Sequence, residues 1–192
     1  GADEAVIVDA KDALAEAGLK LIQTQSKYEG GYWNTTGIAR HITVQAILPE
    51  LRKRQINILS HGSTGRGNDQ VRFQLATNML NPNIQVYAPW RDQKFLDCFG
   101  GRREMINFCQ QNGLPITATH EKPYSTDANL LGLTHEAGRL ESLETPASFI
   151  TPGMGFHPQD APEDVEYFTV SFRFSVRQLQ HFGSVPLRVR RC

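Results

Sequence analysis

The sequence has few cysteines, no excess of charge of either sign and no long apolar run. Its three cysteines, Cys98, Cys109 and Cys192, are an odd number without a CxxC spacing, so neither a disulfide framework nor a zinc knuckle is expected. Lys plus Arg and Asp plus Glu number 20 each, and a neutral chain has no overall field that draws it to nucleic acid or an anionic membrane. No apolar run approaches the roughly 20 residues of a membrane span, and no signal peptide opens the sequence. We expect a cytoplasmic protein without nucleic-acid or membrane partners.

The composition is that of a globular chain. Of 192 residues, 40% are hydrophobic and 21% are charged, which excludes disorder as a description of the whole. At about 150 residues per domain, the length predicts one domain and part of another. The sequence starts at Gly1, and an apolar stretch follows almost at once, at 5–8. The simplest expectation is a marginally stable piece of a longer protein.

The apolar spacing alternates between strand and helix. Short β-branched runs predict strands at 5–8, 56–59 and 84–88, and apolar residues at helical spacing predict helices at 10–25, 38–54 and 68–80. That order predicts an α/β domain with a doubly wound, mostly parallel sheet. The pattern then loosens, with a helix predicted at 102–111 and a strand at 166–174. We place a domain boundary near residue 121, which divides the chain into 1–121 and 122–192.

A glycine-rich turn precedes the third predicted helix. The segment SHGSTGRGNDQVRF at 60–73 follows a strand and opens a helix, a context in which free backbone N–H groups and the helix dipole bind anions. Asn68, Asp69 and Arg72 fall on one face of the first turn and could hold a zwitterionic amino acid, with the Arg on its carboxylate and the Asp on its ammonium. Helix capping by the Asn or Asp is the alternative. The other face, Val71, Leu75 and Met79, is expected to contact the core.

A second polar stretch lies beside the expected domain boundary, where ligand clefts are favoured. It runs KPYSTDAN at 122–129 and LTHEA at 133–137. If 133–137 is extended, Thr134 and Glu136 point the same way. Ser125 or Thr126 could instead cap a short helix. No HExxH or comparable His spacing is present, so we expect no protein-bound metal.

Several of these motifs occur together and in order in one family. The segments YWNTTGIAR at 32–40, SHGSTGRGNDQVRF at 60–73, YAPW at 87–90, KPYSTDAN at 122–129 and LLGLTHEA at 130–137 resemble the argininosuccinate synthases, and the likeness runs from about residue 1 to 172. The resemblance implies an adenine-nucleotide α-hydrolase-like domain followed by part of an α+β synthetase domain. It also implies a cytoplasmic homotetramer of arginine biosynthesis and the urea cycle.

The activity implied by the resemblance is the ATP-dependent joining of citrulline and aspartate to give argininosuccinate, AMP and pyrophosphate through a citrullyl-adenylate. The protein's part would be alignment and charge compensation rather than covalent catalysis, so no catalytic residue is expected. ATP enters as a substrate, with Mg²⁺ expected on the nucleotide.

The resemblance also implies site residues, position by position. ATP contacts correspond to Gly62, Thr64, Asp69 and Asp127. Aspartate contacts correspond to Thr64, Asn68 and Asp69. Citrulline contacts correspond to Tyr32, Asn68, Arg72, Ser125, Thr134 and Glu136.

The sequence departs from the family pattern at two places. The family's pyrophosphate loop, SGGLDTS, does not occur, and Gly-Gly is found only at 30–31 and 100–101. We therefore expect the 192-residue chain alone not to form argininosuccinate. From 173 to 192 the family likeness is lost, and five arginines occur without an acidic residue. A shifted reading frame is the simplest account of this divergent tail, and a basic nucleic-acid arm is the alternative.

Another class of function stays open beside the ligase. A standalone, non-catalytic relative could keep the amino-acid or adenylate site for binding or regulation. The residues Asn68, Asp69, Arg72 and Ser125 suit either function, so the sequence leaves both in place.

Overall fold

The fold begins with two helices that pack against each other. The computed structural model describes residues 2–29, 31–65, 67–116, 124–136, 138–173 and 182–190. Helix α1 spans Lys11–Gln23 and helix α2 spans Thr35–Lys53. Ala17 and Leu21, one turn apart, are buried on α1, as expected of an amphipathic helix. Between the helices, β1 (Lys27–Tyr28) and β2 (Tyr32–Trp33) form a short antiparallel pair.

A strand–helix–strand unit follows and carries the core. Strand β3 (Ile58–Ser60) and strand β4 (Gln85–Tyr87) pair in parallel, with helix α3 (Asn68–Leu80) as the crossover between them, the usual connection of parallel strands. The core cluster consists of Val44 from α2, Leu59 from β3, Ala76 from α3 and Ile84 just before β4. The α2–α3 contact therefore fixes the position of the turn between β3 and α3.

Two further helices and two antiparallel strand pairs complete the described part of the chain. Helix α4 spans Gln93–Phe99 and helix α5 spans Arg102–Gln111. The antiparallel hairpin of β5 (Ser125–Asn129) and β6 (Gly132–Glu136) follows, and β7 (Val165–Arg173) pairs antiparallel with β8 (Phe182–Arg190). Single 3₁₀ turns lie at Pro89–Arg91, Gly138–Glu141, Ala147–Phe149 and Pro158–Asp160. No helix among the described residues is long and apolar enough to cross a membrane.

The chain divides by its contacts into two compact units, residues 1–141 and 142–192. The first contains α1 to α5 and the hairpin β5–β6, and the second contains β7 and β8. The domain boundary predicted near residue 121 falls in 117–123, outside the described residues, so the division into 1–121 and 122–192 stays a prediction. Part of the divergent tail, residues 182–190, forms β8.

The α/β order predicted from the sequence is confirmed, with helices and strands placed to within a few residues, except at the start. The strand predicted at 5–8 is wrong. These residues are exposed, Ile7 completely so at 100%, and no described strand pairs with them. A β-branched run becomes a strand only where a neighbour accepts its backbone hydrogen bonds. The described parallel sheet is therefore the two strands β3 and β4, narrower than a doubly wound sheet.

The buried face of α3 also differs from the prediction. Val71 and Leu75 are about half exposed and Met79 is 77% exposed, whereas Ala76 and Thr77 are buried and Phe73 packs on the core cluster. The Thr77 hydroxyl donates to the Phe73 carbonyl oxygen at 2.8 Å, which satisfies that buried polar group. Ala76 therefore lies in the core cluster with Val44 of α2, and Phe73 packs against that cluster.

Candidate active site

One cavity of about 840 Å³ in the first unit collects the polar segments. Its wall is built from the start of α2, the turn between β3 and α3, the first turn of α3, and the hairpin β5–β6. All ten residues singled out in the sequence line it. They are Tyr32, Gly62, Thr64, Asn68, Asp69, Arg72, Ser125, Asp127, Thr134 and Glu136. Three stretches distant in sequence thus meet at one place.

The glycine-rich turn leaves the carboxyl end of the parallel strand pair, the edge at which open α/β sheets bind ligands. The His61 backbone N–H donates to the Tyr87 carbonyl oxygen at 3.3 Å, and the Gln70 side-chain amide donates to the Gly65 carbonyl oxygen at 2.7 Å. A Cβ at Gly65 would lie 2.7 Å from the Trp90 carbonyl oxygen. The turn therefore needs glycine at 65 because neighbouring backbone is too close for a side chain.

The first turn of α3 places charged groups on the cavity wall. Helix α3 begins at Asn68 with Gly67 as its N-cap, so the alternative in which Asn68 or Asp69 serves as the N-cap is wrong. Arg72 Nη1 donates to Asp69 Oδ1 at 2.8 Å, which confirms that the two side chains share a face, as their i, i+3 spacing predicts. The turn thus presents a guanidinium and a carboxylate side by side.

The hairpin contributes one face of four polar residues. In the register of β5 and β6, Ser125 lies opposite Glu136, and Asp127 lies opposite Thr134. Directly opposed residues of an antiparallel pair share a face, and all four line the cavity. Residues 132–136 are extended, as predicted for Thr134 and Glu136, whereas the short helix that Ser125 or Thr126 was to cap is not formed.

Arg40 of α2 joins α3 to the hairpin. Its Nε donates to Asp69 Oδ2 at 2.8 Å, and its Nη2 donates to Asp127 Oδ2 at 2.6 Å. Although burial opposes the effect, hydrogen bonds from Arg40 and Arg72 hold the pKa of Asp69 below its ordinary value. Hydrogen bonds to Asp69 and Asp127, and the charges of these two carboxylates, raise the pKa of Arg40 against its burial. The cluster therefore places the guanidinium groups of Arg40 and Arg72 against the carboxyl groups of Asp69 and Asp127.

His61 is a second cavity residue that the sequence analysis did not select. Its Nδ1 accepts a hydrogen bond from the Ser63 backbone N–H at 3.3 Å, and its ring stacks on Phe73 at 4.9 Å. Burial lowers the pKa of His61 despite the nearby charge of Asp69. Because Nδ1 accepts a hydrogen bond, Nε2 carries the proton of the neutral ring. That Nε2 is buried and has no hydrogen-bond partner among the described residues.

Arg40 and Thr36 were also missed. Both line the cavity, and Tyr32 donates its hydroxyl hydrogen bond to Thr36 Oγ1 at 3.1 Å. The sequence did contain a signal for them, because Thr36 and Arg40 follow Tyr32 at intervals of four residues. On a helix, residues at that interval share a face. Across the described part of the chain, no group of three or more His, Cys, Asp or Glu side chains is arranged to hold a metal ion.

The fold is α/β, with a cavity at the carboxyl end of its parallel strands that a glycine-rich turn lines, the place where open α/β sheets bind ligands. A model of the arginosuccinate synthase N-terminal HUP domain matches residues 1–115. The argininosuccinate synthase of Rhodopirellula baltica is 40% identical over 178 residues, which are 92% of this chain and 44% of that relative. The chain belongs to the argininosuccinate synthase family and spans less than half the length of that relative.

Proposed function

We propose that the chain carries the amino-acid sites of an ATP-dependent C–N ligase of arginine biosynthesis, which joins citrulline and aspartate into argininosuccinate. One observation carries the proposal: ten residues from three separated segments, each matched to a substrate contact by the family resemblance, line a single cavity. Family membership supports the same activity. The alternative, a non-catalytic module that binds an amino acid or adenylate, would use the same cavity without chemistry.

In this proposal, Arg72 binds the citrulline carboxylate. A guanidinium has five N–H donors, and among the described residues one of them is used, by Asp69. Tyr32, Asn68, Ser125, Thr134 and Glu136 complete the citrulline site. The hydroxyls and carboxylate of the hairpin face suit a polar ureido and amino-acid substrate, since each can donate to or accept from it.

The second amino acid, aspartate, is assigned to Thr64, Asn68 and Asp69. The Asp69 carboxylate faces the aspartate ammonium, and the hydroxyl and amide serve as hydrogen-bond partners of its carboxylates. The nucleotide is assigned to Gly62, Thr64, Asp69 and Asp127. A Cβ at Gly62 would meet nothing within 4 Å, so the missing side chain leaves open space at the backbone for a ligand.

The proposed chemistry has two displacements. The citrulline ureido oxygen attacks the α-phosphorus of ATP, and pyrophosphate leaves with the electron pair of the broken P–O bond. The aspartate amine then attacks the ureido carbon, AMP leaves, and a proton departs from the new nitrogen. The cavity residues align three substrates and balance their charges. Alignment alone can lower the activation free energy by about 7 kcal/mol, and charge compensation lowers it further.

Mg²⁺ would arrive on the ATP phosphates as part of the substrate. Among the described residues, no group of three or more His, Cys, Asp or Glu side chains is arranged to hold a metal ion. No residue of this chain is assigned to the ion.

The location, oligomeric state, partners and domain organisation of the protein are also inferred from the family resemblance. We infer a cytoplasmic enzyme of arginine biosynthesis and the urea cycle, a homotetramer, without nucleic-acid or membrane partners. We also infer that β5–β6 and the second unit belong to the synthetase domain that follows a doubly wound nucleotide-binding domain.

A chimera tests the activity. Residues 1–172 replace the matching stretch of the Rhodopirellula baltica enzyme, and AMP formation is measured with citrulline, aspartate and ATP. The proposal expects AMP that depends on both amino acids, loss of activity in Arg72→Gln, and retention in Arg54→Gln, which lies outside the cavity. A soluble chimera without activity, together with citrulline binding by the 192-residue chain, would favour the non-catalytic module. The chain alone is expected to form no AMP.

A further inference from the structure

Arg40 contacts two carboxylates that lie far from it in sequence. Asp69 is 29 positions away on α3 and Asp127 is 87 positions away on β5. Its Nη2 lies 2.7 Å from Asp69 Oδ2 and 2.6 Å from Asp127 Oδ2. One nitrogen therefore bridges an oxygen of each carboxylate, and the elements that carry those oxygens form two walls of the same cavity.

The guanidinium is held in place by its surroundings. Its side chain is 23% exposed, and its central carbon lies 5.8 Å from the centre of the Phe73 ring, a cation–π distance. Phe73 itself packs on the core cluster. The contact with Phe73 thus orients the Arg40 guanidinium, and the hydrogen bonds from that guanidinium orient the carboxylates of Asp69 and Asp127.

We propose that Arg40 is a positioning residue: its guanidinium holds the hairpin β5–β6 against α3 and fixes the carboxylates of Asp69 and Asp127 as the substrates meet them. The assignment of those two carboxylates to substrates rests on the proposed function. The coupling of the two cavity walls through Arg40 does not rest on the proposed function. The substrate assignment and the coupling can therefore fail separately.

A lysine could not replace Arg40. A planar fork can donate from Nε and Nη2 along fixed directions to two acceptors on different elements, whereas an ammonium on a flexible stem supplies charge without that geometry. If Arg40 acted by charge alone, Lys would serve as well as Arg.

The chain offers a matched control in Arg54. Arg54 also donates to two carboxylates, Glu4 at 2.6 and 2.7 Å and Glu50, and it does not line the cavity. Arg54→Gln therefore removes a comparable fork elsewhere on the molecule. Two quantities are measured in the 192-residue chain, in Arg40→Lys, in Arg40→Gln and in the control. They are the backbone amide exchange of β5 and β6 and the NMR titration of the Asp69 carboxyl carbon.

We expect both Arg40 variants to raise amide exchange in the hairpin by about tenfold or more, while Arg54→Gln leaves it unchanged. The Asp69 titration midpoint rises in Arg40→Gln. Affinity for aspartate and citrulline, followed by calorimetry, falls roughly ten- to a hundredfold in Arg40→Lys, the scale of a small misplacement. If Arg40→Gln does not fold, Arg40→Lys decides.

Unchanged hairpin exchange in a folded Arg40→Lys, or wild-type affinity in that variant, would overturn the proposal. If the unmodified chain binds neither amino acid, the proposed function loses its support. The exchange and titration results still decide the role of Arg40, because neither needs a ligand.

Discussion

Asp69 and Arg72 lie one turn apart on α3, and Arg72 Nη1 donates to Asp69 Oδ1 at 2.8 Å. Since Asp69 Oδ2 accepts from Arg40, both oxygens of one partly buried carboxylate are engaged by cations. A carboxylate in this setting stays ionised and keeps one orientation. The polar face of α3 is therefore a prearranged charge pair in a cavity wall.

Stability is expected to depend on pH through Asp69. Its pKa is held below the ordinary value, so its contribution to the free energy of unfolding is fully present above the unfolded-state pKa of about 3.9 and is lost as the pH falls through the folded-state pKa. The difference between the unmodified chain and Asp69→Asn in urea unfolding should be larger at pH 6 than at pH 3. Asp3→Asn, at an exposed position, serves as the control, and a pH-independent difference would contradict the prediction.

Arg72→Gln is expected to weaken citrulline binding roughly ten- to a hundredfold, since a hydrogen bond to a charged group contributes about 1.5–3 kcal/mol. Arg72→Lys should recover part of the loss because it restores the charge without the fork. Calorimetric titration with citrulline measures both, and Arg54→Gln should bind as the unmodified chain does. Equal citrulline affinity in all variants would show that Arg72 does not bind the citrulline carboxylate.

The limits of α3 follow from local chemistry, but its orientation does not. The glycine-rich turn and the helix-forming run from 68 to 80 predict its ends, and the structure agrees. The buried residues of α3 are Ala76 and Thr77, and Phe73 packs on the core cluster, so a pattern that counts Val71, Leu75 and Met79 selects the wrong face. Which face is buried depends on how closely two helices can approach, a property of the pair.

The candidate site shows the same division. The glycine-rich turn and strand alternation are local signals, and they indicated the polar segments at 60–73 and 122–137. The family resemblance implied the individual site residues, and all ten line one cavity. The sequence did not predict the link through Arg40, because no local pattern relates an arginine on α2 to a carboxylate 87 positions later. The strand expected at 5–8 fails for a related reason, since strand pairing depends on a partner elsewhere in the chain.

A matched pair of valines tests the assignment of the core. Val44 is fully buried in the core cluster at 0% exposure, whereas Val71 on the outer face of α3 is 50% exposed. Val44→Ala should lower the free energy of unfolding by about 1–3 kcal/mol through lost burial and a residual cavity. Val71→Ala should change it by less than about 0.5 kcal/mol, as surface substitutions do. Urea unfolding measures both, and a larger loss for Val71→Ala would reverse the orientation given to α3.

The two glycines at 62 and 65 should respond differently to alanine. At Gly65 the added Cβ would lie 2.7 Å from the Trp90 carbonyl oxygen, a backbone atom that cannot swing aside, whereas at Gly62 it would meet nothing within 4 Å. Gly65→Ala should therefore destabilise the chain by about 1–3 kcal/mol, as overpacking does. Gly62→Ala should leave the urea midpoint unchanged but weaken nucleotide binding, because the methyl group projects into the space assigned to the ligand. Unfolding curves and calorimetric titration with ATP separate these effects. A stable Gly65→Ala would show that the turn can move away from Trp90, and undiminished ATP affinity in Gly62→Ala would remove Gly62 from the nucleotide site.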